Sequence, residues 1–368
     1  MTHPRLEKLY KAMEKFHMDA IAVNPGPSLT YMTGLNFHLM ERPIVMLFSP
    51  GKDPAIILPE LELLKLENIP YKVQSFPYGE NPAEWINAYI SGIKALNIDH
   101  CSIGIEPRAL RLLEYRLVEK AAPAAEFPDA SPVFAALRGT KEKDEIEKIQ
   151  QAVYIAQNAL IACIPLIKIG MTEHELSSEL TIQLLRQGSS PELPFSPIVS
   201  GGPNSANPHA SPSARKLQAG DLLVIDWGAV YNGYVSDLTR TFAVGKIDPE
   251  FEKIHRIVQQ ANQAGRLAGK PSLPCSIVDI AARDVIEQAG YGKFFTHRTG
   301  HGIGMEGHED PYMRGDNMQI LEKGMVYTVE PGIYIPNQNG VRIEDNMVVT
   351  DTGTECLSDM NREITVVG

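Results

Sequence analysis

GDLLVIDWGAVYNGYVSDLTRTFAV, residues 220–244, is the stretch that decides the fold. Its β-branched and aromatic residues flank Asn232-Gly233, the strongest short-range signal for a two-residue hairpin turn. With that pair as the turn, Tyr231 faces Tyr234, Gly228 faces Asp237 and Asp226 faces Thr239. The two-residue period of a strand then places Asp226 and Asp237 on one face as diagonal neighbours. Two carboxylates are aimed at one point.

A second segment, GMVYTVEPGIYIPNQNGVRIEDNMVV at 324–349, repeats the plan: Gly324 precedes Glu330 as Gly220 precedes Asp226, and Gly340 precedes Glu344 as Gly233 precedes Asp237. Such an internal repeat predicts a pseudo-symmetric domain in which each half supplies an acidic hairpin to a shared site. Any one of these acids alone would be read as an exposed strand residue. Four inside apolar strands are costly to bury unless they are paired, protonated or metal-bound, and together they demand positive charge.

Between the hairpins lies HRTGHGIGMEGHE, residues 297–309, where His301 and His308 sit among glycines that permit close backbone approach. Gly302, Gly304 and Gly307 formally match a dinucleotide fingerprint, but no βαβ unit surrounds them, so that reading is rejected. One imidazole with four carboxylates is a mostly hard ligand set, suited to Mn²⁺ first and to Co²⁺, Zn²⁺ or Fe²⁺ as alternatives. Four negative charges balance two dications. Paired ions of this kind typically stand about 3.5–4 Å apart and lower the pKa of a shared water, which is hydrolytic chemistry.

Outward from this region, the chain reads as two domains. Residues 1–133 alternate helical and strand patterns: Leu6, Leu9, Met13 and Phe16 mark an amphipathic helix, DAIAV, PIVMLF, PAIIL and CSIGI read as buried strands, and helices are expected near 83–95 and 108–121. This α/β domain holds no catalytic cluster and is expected to shape or cap a cleft. EFPDASPVFAALRGT at 126–140 reads as a linker. Residues 134–368 form the second domain. It begins with a helix whose apolar face carries Ile146, Ile149, Val153, Ala156 and Leu160. Thr172 with Glu175, Asp248 before Pro249, and Ser276 with Asp279 predict three further helix starts; Gly188 and Gly290 predict stops.

Composition bounds the function. The 368 residues are 43% hydrophobic and 21% charged, as in ordinary globular proteins. A net charge of -11 disfavours a nucleic-acid partner, since phosphate binding needs clustered Lys and Arg. The N-terminal MTHPRLEKLYKAMEKF has no signal-peptide h-region, and no stretch approaches the roughly 18 consecutive apolar residues of a membrane span, so a soluble cytoplasmic protein is expected. Cys101, Cys163, Cys275 and Cys356 are widely separated, which predicts reduced structural thiols.

These residues closely resemble the M24 metallopeptidases, the family that contains aminopeptidase P, prolidase and methionine aminopeptidase and whose catalytic domain is the pita-bread fold. DWG at 226–228, SDLTRTF at 236–242, HRTGHGIG at 297–304, VEPGIY at 329–334 and GVRIED at 340–345 carry the resemblance, in the family's order and approximate spacing. It implies a creatinase-like N-terminal α/β domain followed by a pseudo-symmetric α+β pita-bread catalytic domain. It further implies that Asp226 chelates one of two divalent metal ions, that Asp237 and Glu344 bridge both, and that His301 and Glu330 bind the second. Supporting roles are implied for His209, His297, His308, Tyr334 and Arg342, with Glu330 shuttling a proton, His308 steadying the oxyanion, His209 and His297 lining a proline pocket, and Arg342 supporting Glu344 or touching substrate. Each has a duller alternative as a loop, core or surface residue.

The implied substrate is a peptide with proline in second position. Some prolidases carry an arginine shortly after the His-Glu pair to hold the substrate's C-terminal carboxylate, whereas HEDPYMR at 308–314 has Tyr312 there and Arg314 beyond. That departure favours an Xaa-Pro aminopeptidase, with an Xaa-Pro dipeptidase as the alternative. A methionine aminopeptidase fits less well because of the separate N-terminal domain. A non-peptidase enzyme on the same metal platform, and a non-catalytic binding protein of this fold, remain open. A homodimer, the N-terminal domain of one subunit approaching the partner's site, is also implied.

Overall fold

The computed structural model describes residues 3–368. Its chain divides into two compact units, the first ending at Arg138 and the second spanning Gly139–Gly368. Residue 133, where the sequence reading closed the first domain, lies inside the helix Ser131–Arg138, whose Val133, Phe134 and Leu137 are buried.

The first unit is a five-stranded mixed sheet, ordered Gln74–Tyr78, Ala55–Pro59, Val45–Phe48, Ala20–Val23, Ile103–Ile105. Its three middle strands are buried along their whole length, so they read in sequence as unbroken apolar runs. Helices Trp85–Leu96 and Leu112–Ala121 pack Tyr89, Ile93, Leu96 and Val118 into the core on one face. The edge strand Gln74–Tyr78 was not expected. Its QSFPY carries a proline and only one buried residue, features that are tolerated at an edge and hide a strand from pattern reading.

The second unit is built twice. In the first half, helices Lys143–Cys163 and Glu173–Arg186 pack on each other, followed by the antiparallel strands Leu222–Trp227 and Leu238–Val244 with a two-stranded ribbon, Val230–Tyr231 and Tyr234–Val235, between them. In the second, helices Pro249–Ala268 and Ser276–Gln288 precede the antiparallel strands Val326–Val329 and Asp345–Val349, with the ribbon Gly332–Tyr334 and Gly340–Arg342 between them. The repeat seen in the acids therefore extends to the elements that carry them. Sheet order is Thr365–Val367, Leu238–Val244, Leu222–Trp227, Ile198–Gly201 in the first half, and Glu309–Met313, Gly300–Gly302, Val326–Val329, Asp345–Val349, Thr354–Cys356 in the second.

Local chemistry explains most boundaries. The Thr172–Glu175 capping box opens its helix, and Asp248 caps the helix that begins at Pro249. Ser276 with Asp279 does not act as a cap: the helix starts at Ser276 itself, and the Asp279 carboxylate is taken by Arg283 and the Thr299 N–H. Asp279 thus ties this helix to the start of the histidine segment. The apolar residues of Lys143–Cys163 lie in the main core. With its continuation to Leu166 this helix is long and apolar enough to cross a membrane by length and composition, but half of that stretch is buried within the protein.

Candidate active site

Asn232 and Gly233 adopt φ of 49° and 80°, the positive values of a type I′ turn, and the observed register pairs Tyr231 with Tyr234 and Asp226 with Thr239. The hairpin thereby presents Asp226 and Asp237 together. From the second half, Glu330 follows the end of Val326–Val329 and Glu344 sits between Gly340–Arg342 and Asp345–Val349. His301 stands in the strand Gly300–Gly302. A Cβ at Gly300 would lie 1.9 Å from the Thr328 carbonyl oxygen, so only glycine lets that strand approach its neighbour closely enough.

Ligand atoms of Asp226, Asp237 and Glu344 lie within 4.8 Å of one another, as do those of His301, Glu330 and Glu344. These are two half-sites sharing Glu344, and Asp237 reaches the second one too, with Oδ2 3.7 Å from His301 Nε2. His301 Nε2 is also 3.4 Å from Glu330 Oε1. The other ring nitrogen of His301, Nδ1, is 3.1 Å from the Gly302 carbonyl oxygen, which can only accept, so Nδ1 carries the hydrogen and Nε2 turns a lone pair to the carboxylates.

Electrostatics suit this cluster to cations. Burial, reinforced by the neighbouring carboxylates, holds Asp237 and Glu344 well above the usual carboxylate range. Burial raises Glu330 to about 8 and also raises Asp226, against the pull of Arg342. Asp226 Oδ1 and Glu344 Oε1 are buried with no hydrogen-bond partner among the described residues. Unsatisfied buried carboxylate oxygens beside a neutral imidazole are the donor set of a hard or borderline divalent cation, so these five residues fit a metal pair.

Around them, the supporting residues form a connected chain. Arg342 Nη2 donates to Asp226 Oδ2 at 2.6 Å, its Nη1 donates to Tyr334 Oη at 3.0 Å and to the Pro208 carbonyl at 3.1 Å, and its Nε donates to Thr239 Oγ1 at 3.1 Å. His297 Nδ1 lies 2.7 Å from the Arg298 carbonyl and must donate to it, so its Nε2 accepts from Tyr334 Oη at 2.9 Å. Both His297 nitrogens are committed, and burial lowers its pKa to about 4. Arg342 was expected to support Glu344 or to touch substrate; it lines the cleft and gives its hydrogen bond to a carboxylate to Asp226, while the hydroxyl of Thr239 lies 2.8 Å from Glu344 Oε2.

The cluster lines a cleft of about 1290 Å³, with His209, His297, His308 and Arg298 also on its wall, together with the apolar Phe195, Ile198, Val235, Ile280, Phe295 and Met305. His209 and His308 are exposed to this space. The His308 ring lies 3.8 Å from that of His301, and its Nδ1 faces Arg298 Nη2 at 3.2 Å, leaving Nε2–H as a donor. Arg298 was not anticipated. Among the cleft's arginines, Arg283, Arg314 and Arg342 are paired with Asp279, Asp316 and Asp226, whereas Arg298 has no carboxylate partner among the described residues and lies 4.6 Å over the Tyr312 ring. Nothing in a single sequence separates it from a surface arginine.

Comparison with known proteins agrees with this architecture. Residues 147–351 match the model of metallopeptidase family M24, and residues 5–139 match the creatinase/prolidase N-terminal domain. The chain is 32% identical over 363 residues to the Xaa-Pro dipeptidase of Lactobacillus helveticus, covering 98% of each. It superimposes on a dipeptidase from Pyrococcus horikoshii with a TM-score of 0.92 at 34% identity, covering 99% of this chain and 100% of that one. An X-Pro aminopeptidase from Thermotoga maritima matches with a TM-score of 0.85 at 30% identity, covering 98% and 99%.

Proposed function

Because the chain belongs to metallopeptidase family M24, we propose that it is an Xaa-Pro dipeptidase holding two divalent metal ions, Mn²⁺ by preference, in the Asp226, Asp237, His301, Glu330 and Glu344 cluster. The dipeptidase reading replaces the aminopeptidase expected from Tyr312. Relatives that match over nearly their whole length carry the dipeptidase name, and the observation in the molecule that favours it is Arg298. Its guanidinium lies over the ring of Tyr312, so the positive charge that position 312 lacks is supplied from position 298. A fork of N–H donors with no carboxylate of its own suits the terminal carboxylate of a dipeptide.

Bound metals supply a water that ionises near neutral pH and a Lewis acid for the scissile carbonyl. The chain's own groups do the rest. Glu330 takes a proton from the attacking water and returns it to the proline nitrogen. His308 Nε2–H donates to the carbonyl oxygen as charge builds there. The apolar wall with Phe195 and Phe295 receives the proline ring. Arg342, held by Tyr334 and through it by His297, keeps Asp226 in one orientation. His209, exposed in the cleft, contacts the bound peptide. All four cysteines are free, as the reducing cytoplasm would leave them, and we place the protein there as a homodimer.

The test is hydrolysis of Ala-Pro beside Ala-Pro-Ala-Ala and Ala-Ala by the Mn²⁺-loaded protein. Cleavage of Ala-Pro alone is expected; cleavage of the tetrapeptide but not the dipeptide would restore the aminopeptidase. R298Q should raise KM for Ala-Pro roughly 10- to 100-fold, the scale of a charge-assisted hydrogen bond of about 1.5–3 kcal/mol. An unchanged KM would remove Arg298 from substrate binding.

A further inference from the structure

Both bridging carboxylates sit where a strand ladder breaks. Ser236 and Asp237 fall between strands Tyr234–Val235 and Leu238–Val244, and Ile343 and Glu344 fall between Gly340–Arg342 and Asp345–Val349. At such breaks the peptide groups lose their ladder partners and, being buried, must find others. Each half finds them in the other half, through the residue two places after the other half's bridging acid. Asn346, two after Glu344, accepts the Asp237 N–H at Oδ1 (3.2 Å) and donates from Nδ2 to the Asp237 carbonyl (2.6 Å). Thr239, two after Asp237, accepts the Glu344 N–H at its carbonyl (3.1 Å) and donates from Oγ1 to Glu344 Oε2 (2.8 Å). Both side chains are fully buried.

We propose that Thr239 and Asn346 form a reciprocal clasp that sets the separation of the two bridging carboxylates, and so are positioning residues for the dinuclear centre. The inference rests on the two-metal reading above. Neither hairpin fixes this separation alone: the Asn232-Gly233 turn sets the register of Asp226 against Thr239 within one half, whereas the distance between Asp237 and Glu344 depends on hydrogen bonds that cross the pseudo-symmetric seam, these four among them. The clasp also reaches Asp226, because Thr239 Oγ1 accepts from Arg342 Nε while Arg342 Nη2 holds that carboxylate. A hydroxyl that donates to one ligand and accepts from the guanidinium holding another has one orientation available, which pins both.

The test is Mn²⁺ titration calorimetry of the metal-free full-length chain, with electron paramagnetic resonance of the loaded protein. The wild type should bind two ions and give the spectrum of a spin-coupled pair. T239V, nearly isosteric but without the hydroxyl, should weaken the second ion by about tenfold or more, the scale seen for partners that orient metal ligands, and lose the coupled signal. T239S keeps the hydroxyl and should retain both properties. N346L should behave as T239V does; should N346L fail to fold, the T239V and T239S pair decides alone. Wild-type affinity and coupling in T239V, or equal loss in T239S and T239V, would overturn the clasp, the latter because the variant that keeps the hydroxyl would then do no better than the one that lacks it. A wild type that binds fewer than two ions would overturn the dinuclear reading itself and the clasp with it.

Discussion

The two acidic hairpins follow one plan but hold their ligands differently. Asp226 stands inside the strand Leu222–Trp227 with Arg342 on its outer oxygen at 2.6 Å. Glu330, its counterpart, follows the end of Val326–Val329 and has His301 Nε2 beside its carboxylate at 3.4 Å. Burial raises both carboxyls, Glu330 to about 8; Arg342 opposes the rise at each but donates a hydrogen bond only to Asp226. The difference teaches that a duplicated frame can divide the labour: one terminal carboxylate is held in place by a hydrogen-bonded guanidinium, while the other, with no such guanidinium partner, is the one proposed to move a proton.

Breaking both halves at once gives the largest expected effect. D237N removes a ligand shared by the two half-sites, and activity on Ala-Pro should fall on the order of 10⁴-fold or more together with metal content; an active, metal-depleted D237N would remove Asp237 from the site. Disabling only the proton-handling half, E330Q should lower kcat by about 10²- to 10⁴-fold while one ion remains bound at Asp226 and Asp237. Loss of both ions in E330Q would mean that the halves do not act separately. Disabling only the fixed half, R342M should cost about 10- to 100-fold in metal affinity by titration calorimetry, as for partners that orient metal ligands.

The smallest effect sharpens the electrostatic side of the comparison. A carboxyl raised in the folded state binds its proton there when the unfolded chain has already lost it, so its contribution falls as pH rises towards the folded value. Below about 6.5 the buried histidines, with pKa values lowered by burial, titrate in the opposite sense. Between about 6.5 and 8 the raised carboxyls dominate. Metal-free protein should therefore lose a few degrees of Tm across that window in calorimetry with chelator present, and saturating Mn²⁺ should flatten the slope. An identical slope with and without metal would mean that the cations do not neutralise these acids.

Much of this was legible in the sequence because it is local. The register that joins Asp226 to Asp237 follows from one turn, Asn232-Gly233, whose positive φ values leave little choice of pairing. The middle strands of the first unit are buried throughout, and buried runs are conspicuous. What escaped is what depends on distant partners. Gln74–Tyr78 is a strand only because Ala55–Pro59 lies beside it. Asp279 resembles a capping residue until the Thr299 N–H, 20 positions away, is seen to claim it. Arg298 acquires meaning from Tyr312 and His308, and Arg342 reaches Asp226, 116 positions away, in place of nearby Glu344. The signal that could have exposed Thr239 and Asn346 was present in the repeat itself, since each stands two residues after a bridging acid.

On this reading buried Asp226, Asp237, Glu344 and His301 and half-buried Glu330 hold two cations, each half supplying one terminal and one bridging acid. Metal analysis of the protein after Mn²⁺ loading and removal of free ion, with hydrolysis of Ala-Pro followed as the ions are added back to metal-free protein, tests it most directly. Two ions per chain, with activity appearing as the cluster fills, is the predicted result. A protein fully active on Ala-Pro with its ions removed, or one that takes up none at this cluster, would contradict it.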